Sequence, residues 1–153
     1  MQITRRIEFD AGHRIPNHAS ICRHLHGHRY ALEVTLSGPV ITREGAPDQG
    51  MVMDFGDVKA IAREFVTDRW DHAFLAYIHD TEVLRFLQSL PDHKTVVLDA
   101  PPTAENLALE AFRILDAAYR DRYGDRLRLE RVRLYETPNC WADALREQAV
   151  GGG

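Results

Sequence analysis

The chain has 153 residues, 44% of them hydrophobic and 27% charged, which suits one domain and makes two cores a tight fit. Nineteen Lys and Arg against 23 Asp and Glu leave a net charge of −4, which argues against a general nucleic-acid or membrane-surface binder. No apolar run approaches the roughly 18–20 residues that span a bilayer. The opening Met1-Gln2-Ile3-Thr4-Arg5-Arg6 lacks the apolar stretch of a secretory signal, so Cys22 and Cys140 are expected to stay reduced in a cytoplasm.

The first segment alternates, with Ile3, Ile7, Phe9 and Ala11 on one parity and Thr4, Arg6, Glu8 and Asp10 on the other; this period of two predicts a half-buried strand. Residues 14–25, with Pro16, Asn17 and Ser20, read as a loop. A second strand follows, with Tyr30, Leu32, Val34 and Leu36 on one face and Arg29, Glu33 and Thr35 on the other, able to pair with the first as an antiparallel hairpin. Turn chemistry fills Gly38-Pro39 and Gly45 to Gly50.

From Asp54 the period becomes helical through Phe55, Val58, Ile61, Ala62, Phe65 and Val66, with Asp54 as N-cap. A short helix is expected near Glu82–Leu90, stopped by Pro91, and a short strand at Thr95–Leu98. Thr103 caps the longest helix, whose stripe is Leu107, Ala111, Ile114, Leu115, Ala118 and Tyr119, ending at Gly124. Leu127–Glu136 and Cys140–Leu145 read as closing strands, the first with a slip in its alternation near Arg131. The order β-β-α-(α-β)-α-β-β predicts an antiparallel sheet with helices on one face, an α+β fold. One domain over 1–148 is expected, with a flexible tail over 149–153.

Five of the eight histidines fall between residues 13 and 28. In a strand starting at His26-Gly27-His28, residues two apart point to the same face roughly 6.5–7 Å from one another. Two such imidazoles can converge on one metal. His13, at the end of the first strand, is the leading third ligand, carried beside His28 by the loop. Three neutral imidazoles with a vacant fourth position suit a catalytic zinc better than a structural one. An isolated His-x-His is more often a polar strand start; the third His and a nearby Cys22 reverse the balance toward metal. His18 and His24, in the loop, are competing ligands, while His79 and His93 read as solvated. Cys22 reads on spacing alone as packing, ligand or nucleophile, and nearby cations such as Arg23 would favour its reactive thiolate. Cys140 reads as a strand residue. Asp71-His72 could be a poised acid–base pair, but neighbours on a strand point apart, so adjacency alone does not pair them.

Taken in order, Phe9-Asp10-Ala11-Gly12-His13, Cys22-x-x-x-His26-Gly27-His28, Gly50-Met51-Val52-Met53-Asp54-Phe55 with Lys59, Asp71-His72, Pro102-Thr103-Ala104-Glu105-Asn106 and Glu136-Thr137 closely resemble the 6-pyruvoyltetrahydropterin synthase/6-carboxytetrahydropterin synthase family. The resemblance runs from about residue 3 to 145. It implies a T-fold: a four-stranded antiparallel sheet with helices on one face, three copies closing a barrel and two trimers stacking into a hexamer. It implies zinc on His13, His26 and His28, a catalytic Cys22, a relay His72 with Asp71 beside it, and Glu136 as pterin anchor and helper of the relay. Thr103 and Glu105 match residues lining the pterin pocket across a subunit interface, and capping or packing explains Asp54 and Phe55 as well as any role would. Three residues between Cys22 and His26 look like the carboxy-type synthases; the pyruvoyl type usually has a longer spacer. The stretch 76–100 is longer than in compact members and is expected to add a helix and an edge segment. The implied activity is conversion of 7,8-dihydroneopterin triphosphate to 6-carboxy-5,6,7,8-tetrahydropterin on the route to queuosine. Alternatives are the pyruvoyl activity, a non-catalytic pterin- or zinc-binding paralogue, or a three-His zinc hydrolase on another scaffold. No Gly-rich phosphate loop is present, so the triphosphate is expected to meet scattered basic residues such as Arg14, Arg23, Arg29 or Lys59.

Overall fold

A computed structural model describes residues 1–150. Its first strand, β1 (Gln2–His13), pairs antiparallel with β2 (His26–Ser37) along their whole length, from Gln2 opposite Ser37 to His13 opposite His26. Alternation decides the faces. Ile7, Phe9, Ala11 and His13 of β1 are buried with Tyr30, Leu32, Val34 and Leu36 of β2, while Arg6 and Glu8 remain outside.

Helix α1 (Phe55–Ala62) begins where predicted, its N-cap Asp54 accepting from the Gly56 amide at 2.6 Å. It then widens into a π-helical turn, Arg63–Thr67, before the one-turn α2 (Asp68–Trp70). Strand β3 (Ala73–Tyr77), helix α3 (Thr81–Gln88) and strand β4 (Thr95–Leu98) follow, then the long α4 (Ala104–Tyr123). Strands β5 (Arg128–Thr137) and β6 (Cys140–Leu145) and a short α5 (Arg146–Val150) complete the described residues. Residues 149 and 150 of the expected tail thus belong to α5, and 151–153 lie outside the described residues.

The sheet runs β4-β3-β1-β2-β5-β6. This corrects the expected four-stranded antiparallel sheet: β1, β2, β5 and β6 are antiparallel neighbours, but β3 and β4 add two parallel strands on the β1 side. The residues 76–100 therefore carry a helix and an edge strand. Strand β3 was missed because Ala73-Phe74-Leu75-Ala76-Tyr77 is a short, nearly continuous apolar run, as parallel strands are, without the alternation that marks a half-exposed strand. It pairs with β1 through residues 11–13.

Helix α4 lays Leu107, Ala111, Phe112, Leu115, Ala118 and Tyr119 against the sheet, where they meet Val58 and Ile61 of α1 and the inward side chains of β1, β2 and β5 in one core. The slip near Arg131 is a β-bulge: Leu36 faces Leu129 and Thr35 faces Arg131, leaving Glu130 as the extra residue. A second irregularity leaves Glu136 between the pairs Tyr135–Trp141 and Thr137–Cys140. Among the described residues no helix is long and apolar enough to cross a membrane.

Candidate metal and catalytic site

At one end of the helix-covered face, His13, His26, His28 and Glu136 bring one ligand atom each to within 4.8 Å of one another. The first three arrive through strand pairing. His13 stands directly opposite His26, not His28 as the sequence suggested, and His28 follows two residues along the same face. Glu136 arrives by its bulge, a device that re-aims one side chain next to many active sites. The imidazole ring centres lie 4.5–5.1 Å apart. Tyr30 packs beneath two of them and stacks on Phe9; its hydroxyl is buried without a partner, and burial pushes the phenol's pKa up.

The proton arrangement tests whether the group fits a metal. His13 Nδ1 lies 2.7 Å from the Pro102 carbonyl and His26 Nδ1 lies 2.7 Å from the His24 carbonyl. A carbonyl can only accept, so each Nδ1 carries the hydrogen and each neutral ring turns a lone pair out at Nε2. Those two Nε2 atoms face each other at 3.1 Å. Lone pairs at that distance repel unless a proton or a cation lies between them. His28 Nε2 is 2.9 Å from Oε1 of Glu136, yet buried and without a hydrogen-bonding alignment, and the same oxygen is 3.5 Å from His13 Nε2. Burial is the main influence lowering the His28 pKa, countered in part by Glu136, so the neutral, ligating form is favoured. Contact with His13 is the main influence holding the Glu136 carboxyl below its usual range, against its burial. The donor set therefore fits a divalent cation, with two main-chain carbonyls fixing the outer nitrogens of its imidazoles. Neither carbonyl was legible in the sequence, since a main-chain acceptor carries no residue identity.

Asp71 and His72 do form a pair. Asp71 accepts the Asp10 amide at 2.9 Å, and the His72 amide donates to the Asp10 carbonyl at 2.6 Å. His72 then takes a left-handed backbone, φ +56°, which breaks strand alternation and brings its Nδ1 to 2.9 Å from Oδ2 of Asp71. The expectation that neighbours point apart fails here because neither residue is in a strand. The Asp10 amide is the main influence lowering the Asp71 pKa. The His72 ring is largely exposed and lines an open depression of about 640 Å³ with Asp10, Gly12, Gly27, Arg29 and His93.

The remaining candidates are dispersed. Cys22 is half-buried in a 3-10 turn, Ile21–Arg23, whose loop closes through the Ile15 amide on the Cys22 carbonyl at 2.8 Å; its sulfur is outside the converging ligand group. Thr103 caps α4 by accepting from the Asn106 amide, and Glu105 is exposed in the first turn. Asp54 is a cap, whereas Phe55 is 49% exposed, so packing within the chain does not explain it. Of the basic candidates, Arg14 is committed to Asp80 and Arg29 to Glu8 and Asp10.

A model of the 6-pyruvoyl tetrahydropterin synthase family matches residues 2–147. The chain is 37% identical over 144 residues to the 6-carboxy-5,6,7,8-tetrahydropterin synthase of Rickettsia bellii, covering 94% of this chain and 99% of the relative. It is 32% identical over 145 residues to the protein of that name from Haemophilus influenzae, covering 93% and 96%. The fold is also that of the 6-pyruvoyl tetrahydropterin synthase of Plasmodium vivax, with a TM-score of 0.69 at 19% identity over 95% of this chain and 98% of that one. A TM-score of 0.76 at 23% identity relates it to an uncharacterised protein of Wolinella succinogenes, over 96% and 98%. On the matched motifs and nearly full-length coverage, the chain belongs to the 6-pyruvoyl tetrahydropterin synthase family.

Proposed function

We propose that this protein is a zinc-dependent carbon–carbon lyase, a 6-carboxytetrahydropterin synthase. With one water, it converts 7,8-dihydroneopterin triphosphate to 6-carboxy-5,6,7,8-tetrahydropterin, acetaldehyde and triphosphate, in the cytoplasm, for queuosine (7-deazaguanine) synthesis. The observation that carries the reading is the convergence of His13, His26, His28 and Glu136 in a chain whose full-length relatives bear that synthase name. The three residues between Cys22 and His26 favour the carboxy over the pyruvoyl product.

His13, His26 and His28 would hold zinc, which would supply Lewis acidity toward the substrate's side-chain hydroxyls. The Cys22 thiolate takes a proton from the carbon skeleton, and His72, held in one tautomer by Asp71 at Nδ1, passes protons through Nε2. Glu136 accepts paired N–H bonds from the pterin through its carboxylate and fixes its orientation. Thr103 and Glu105 line the pterin pocket of a trimer or hexamer, contributed across a subunit interface. Oxidation of the side chain balances reduction of the ring, so no nicotinamide enters.

Mass spectrometry of products from zinc-loaded protein and 7,8-dihydroneopterin triphosphate tests the reading. A 6-carboxytetrahydropterin peak with acetaldehyde is expected, and is lost in Cys22→Ala while zinc is retained. A pyruvoyl product would refute the carboxy assignment, and absence of turnover with zinc bound would leave a binding protein.

A further inference from the structure

The pair Asp71–His72 hangs on a turn that nothing in its own sequence fixes. His72 has the left-handed backbone that a non-glycine residue adopts only under constraint, and its ring is exposed. The constraint comes partly from β1, through the amide and carbonyl of Asp10. The Asp71 amide also donates to the Thr67 carbonyl at 2.8 Å, and a further tie comes from the connection between α3 and β4. Lys94 Nζ donates to the Asp68 carbonyl at 2.8 Å and to the Asp71 carbonyl at 2.7 Å, while the Lys94 carbonyl accepts from Phe74 N at 3.0 Å. One side chain thus bridges both ends of the short α2 turn, and its main chain grips the strand that begins just after His72. The ammonium also sits where α2 ends, on carbonyls left without helical partners.

We propose that Lys94 is a positioning residue for the Asp71–His72 pair, and that the segment between β3 and β4 serves the site through it. Without the ammonium, the carbonyls of Asp68 and Asp71 turn to water, the α2 turn loosens, and the left-handed conformation of His72 relaxes. The imidazole then leaves Asp71 Oδ2 and no longer presents a fixed tautomer to the depression it lines. Lys94 has no part in binding the cation: its contacts are main-chain carbonyls remote in sequence from His13, His26, His28 and Glu136. His93, its neighbour, lines the same depression as His72.

The inference rests on the reading of His72 as a proton relay, and the experiment separates the two. Lys94→Met and Lys94→Arg are compared with wild type in histidine-13Cε1-labelled, zinc-loaded protein, with His72→Gln assigning the His72 resonance. In Lys94→Met that resonance should move toward the free-imidazole position and broaden, and Lys94→Arg should restore it. In turnover, Lys94→Met should lower kcat about 10-fold with KM within about 2-fold, a part of the 10²–10⁴ a general acid–base group contributes. Zinc content should not change. If the wild type shows no turnover, the proposed function fails while the resonance still decides the positioning role. An unmoved His72 signal in Lys94→Met overturns the proposal, whether or not kcat falls.

Discussion

Arg14 and Asp80 form an ion pair whose two halves should cost different amounts to remove. Asp80 is the N-cap of α3 and its side chain is 5% exposed; it receives Arg14 Nε at 2.7 Å and Nη2 at 2.6 Å. Its only other donor among the described residues is the Val83 amide, at 3.5 Å. Arg14→Met therefore strands a buried carboxylate, for which breaking a buried pair costs about 3–5 kcal/mol. Arg14 is less committed: its side chain is 22% exposed and Glu82 lies 3.4 Å away. Asp80→Asn leaves the guanidinium a second carboxylate and water, so its cost should be nearer the roughly 1.5–3 kcal/mol of one hydrogen bond to a charged group. Urea unfolding at fixed protomer concentration measures both, and thermal midpoints should fall about 2–4 °C per kcal/mol for a domain of this size.

The same pair predicts a pH dependence of definite sign. Arg14 holds the Asp80 carboxyl below its ordinary range, so its stabilisation is complete above the unfolded carboxylate value near ~4 and is lost as pH falls through the depressed folded value. In Arg14→Met the buried carboxyl lacks its cation and protonates at higher pH, which relieves the penalty. The stability gap between wild type and variant should therefore narrow from pH ~7 to ~4. A gap independent of pH, or an Asp80→Asn cost equal to that of Arg14→Met, would refute the charge argument in favour of packing.

Three further outcomes bear on the metal cluster. His28→Ala should lose most of its zinc, read as metal per protomer after dialysis; undiminished content would remove His28 from the ligand set. Glu136→Gln keeps the shape but not the charge, so zinc should stay while pterin affinity drops; zinc loss as complete as in His28→Ala would make Glu136 a ligand instead. Gly27→Ala should destabilise by about 1–3 kcal/mol, because an added Cβ would stand 2.9 Å from the Ala11 main-chain oxygen, which cannot move without shifting β1. Zinc affinity should weaken with it, as His26 and His28 flank the strained residue; an unchanged melting temperature would contradict the close approach.

Much of this was readable in the sequence because it is local. Period-two alternation placed β1 and β2 and their faces, the stripe of α4 placed its buried side, and Asp54 and Thr103 announced the helix starts as caps. His-Gly-His on a strand already implied two imidazoles on one side. The slip in alternation near Arg131 left the register of β5 open, and the bulge falls there.

What sequence periodicity could not decide was anything set by contacts between distant segments. That β3 and β4 run parallel beside β1 depends on a crossover through α3, and the apolar run of β3 carries no alternation to reveal it. That His72 folds back on Asp71 depends on Asp10 and Lys94, 62 and 22 residues away (72 − 10 and 94 − 72). That Asp80 is a buried, ion-paired cap depends on Arg14, 66 residues earlier. The residue types at the metal cluster were the sequence's to determine, because only imidazoles and carboxylates can supply those donors. Their convergence was the tertiary structure's, because it takes the β1–β2 register, a bulge at Glu136 and the carbonyls of His24 and Pro102 to turn the donor atoms toward one point.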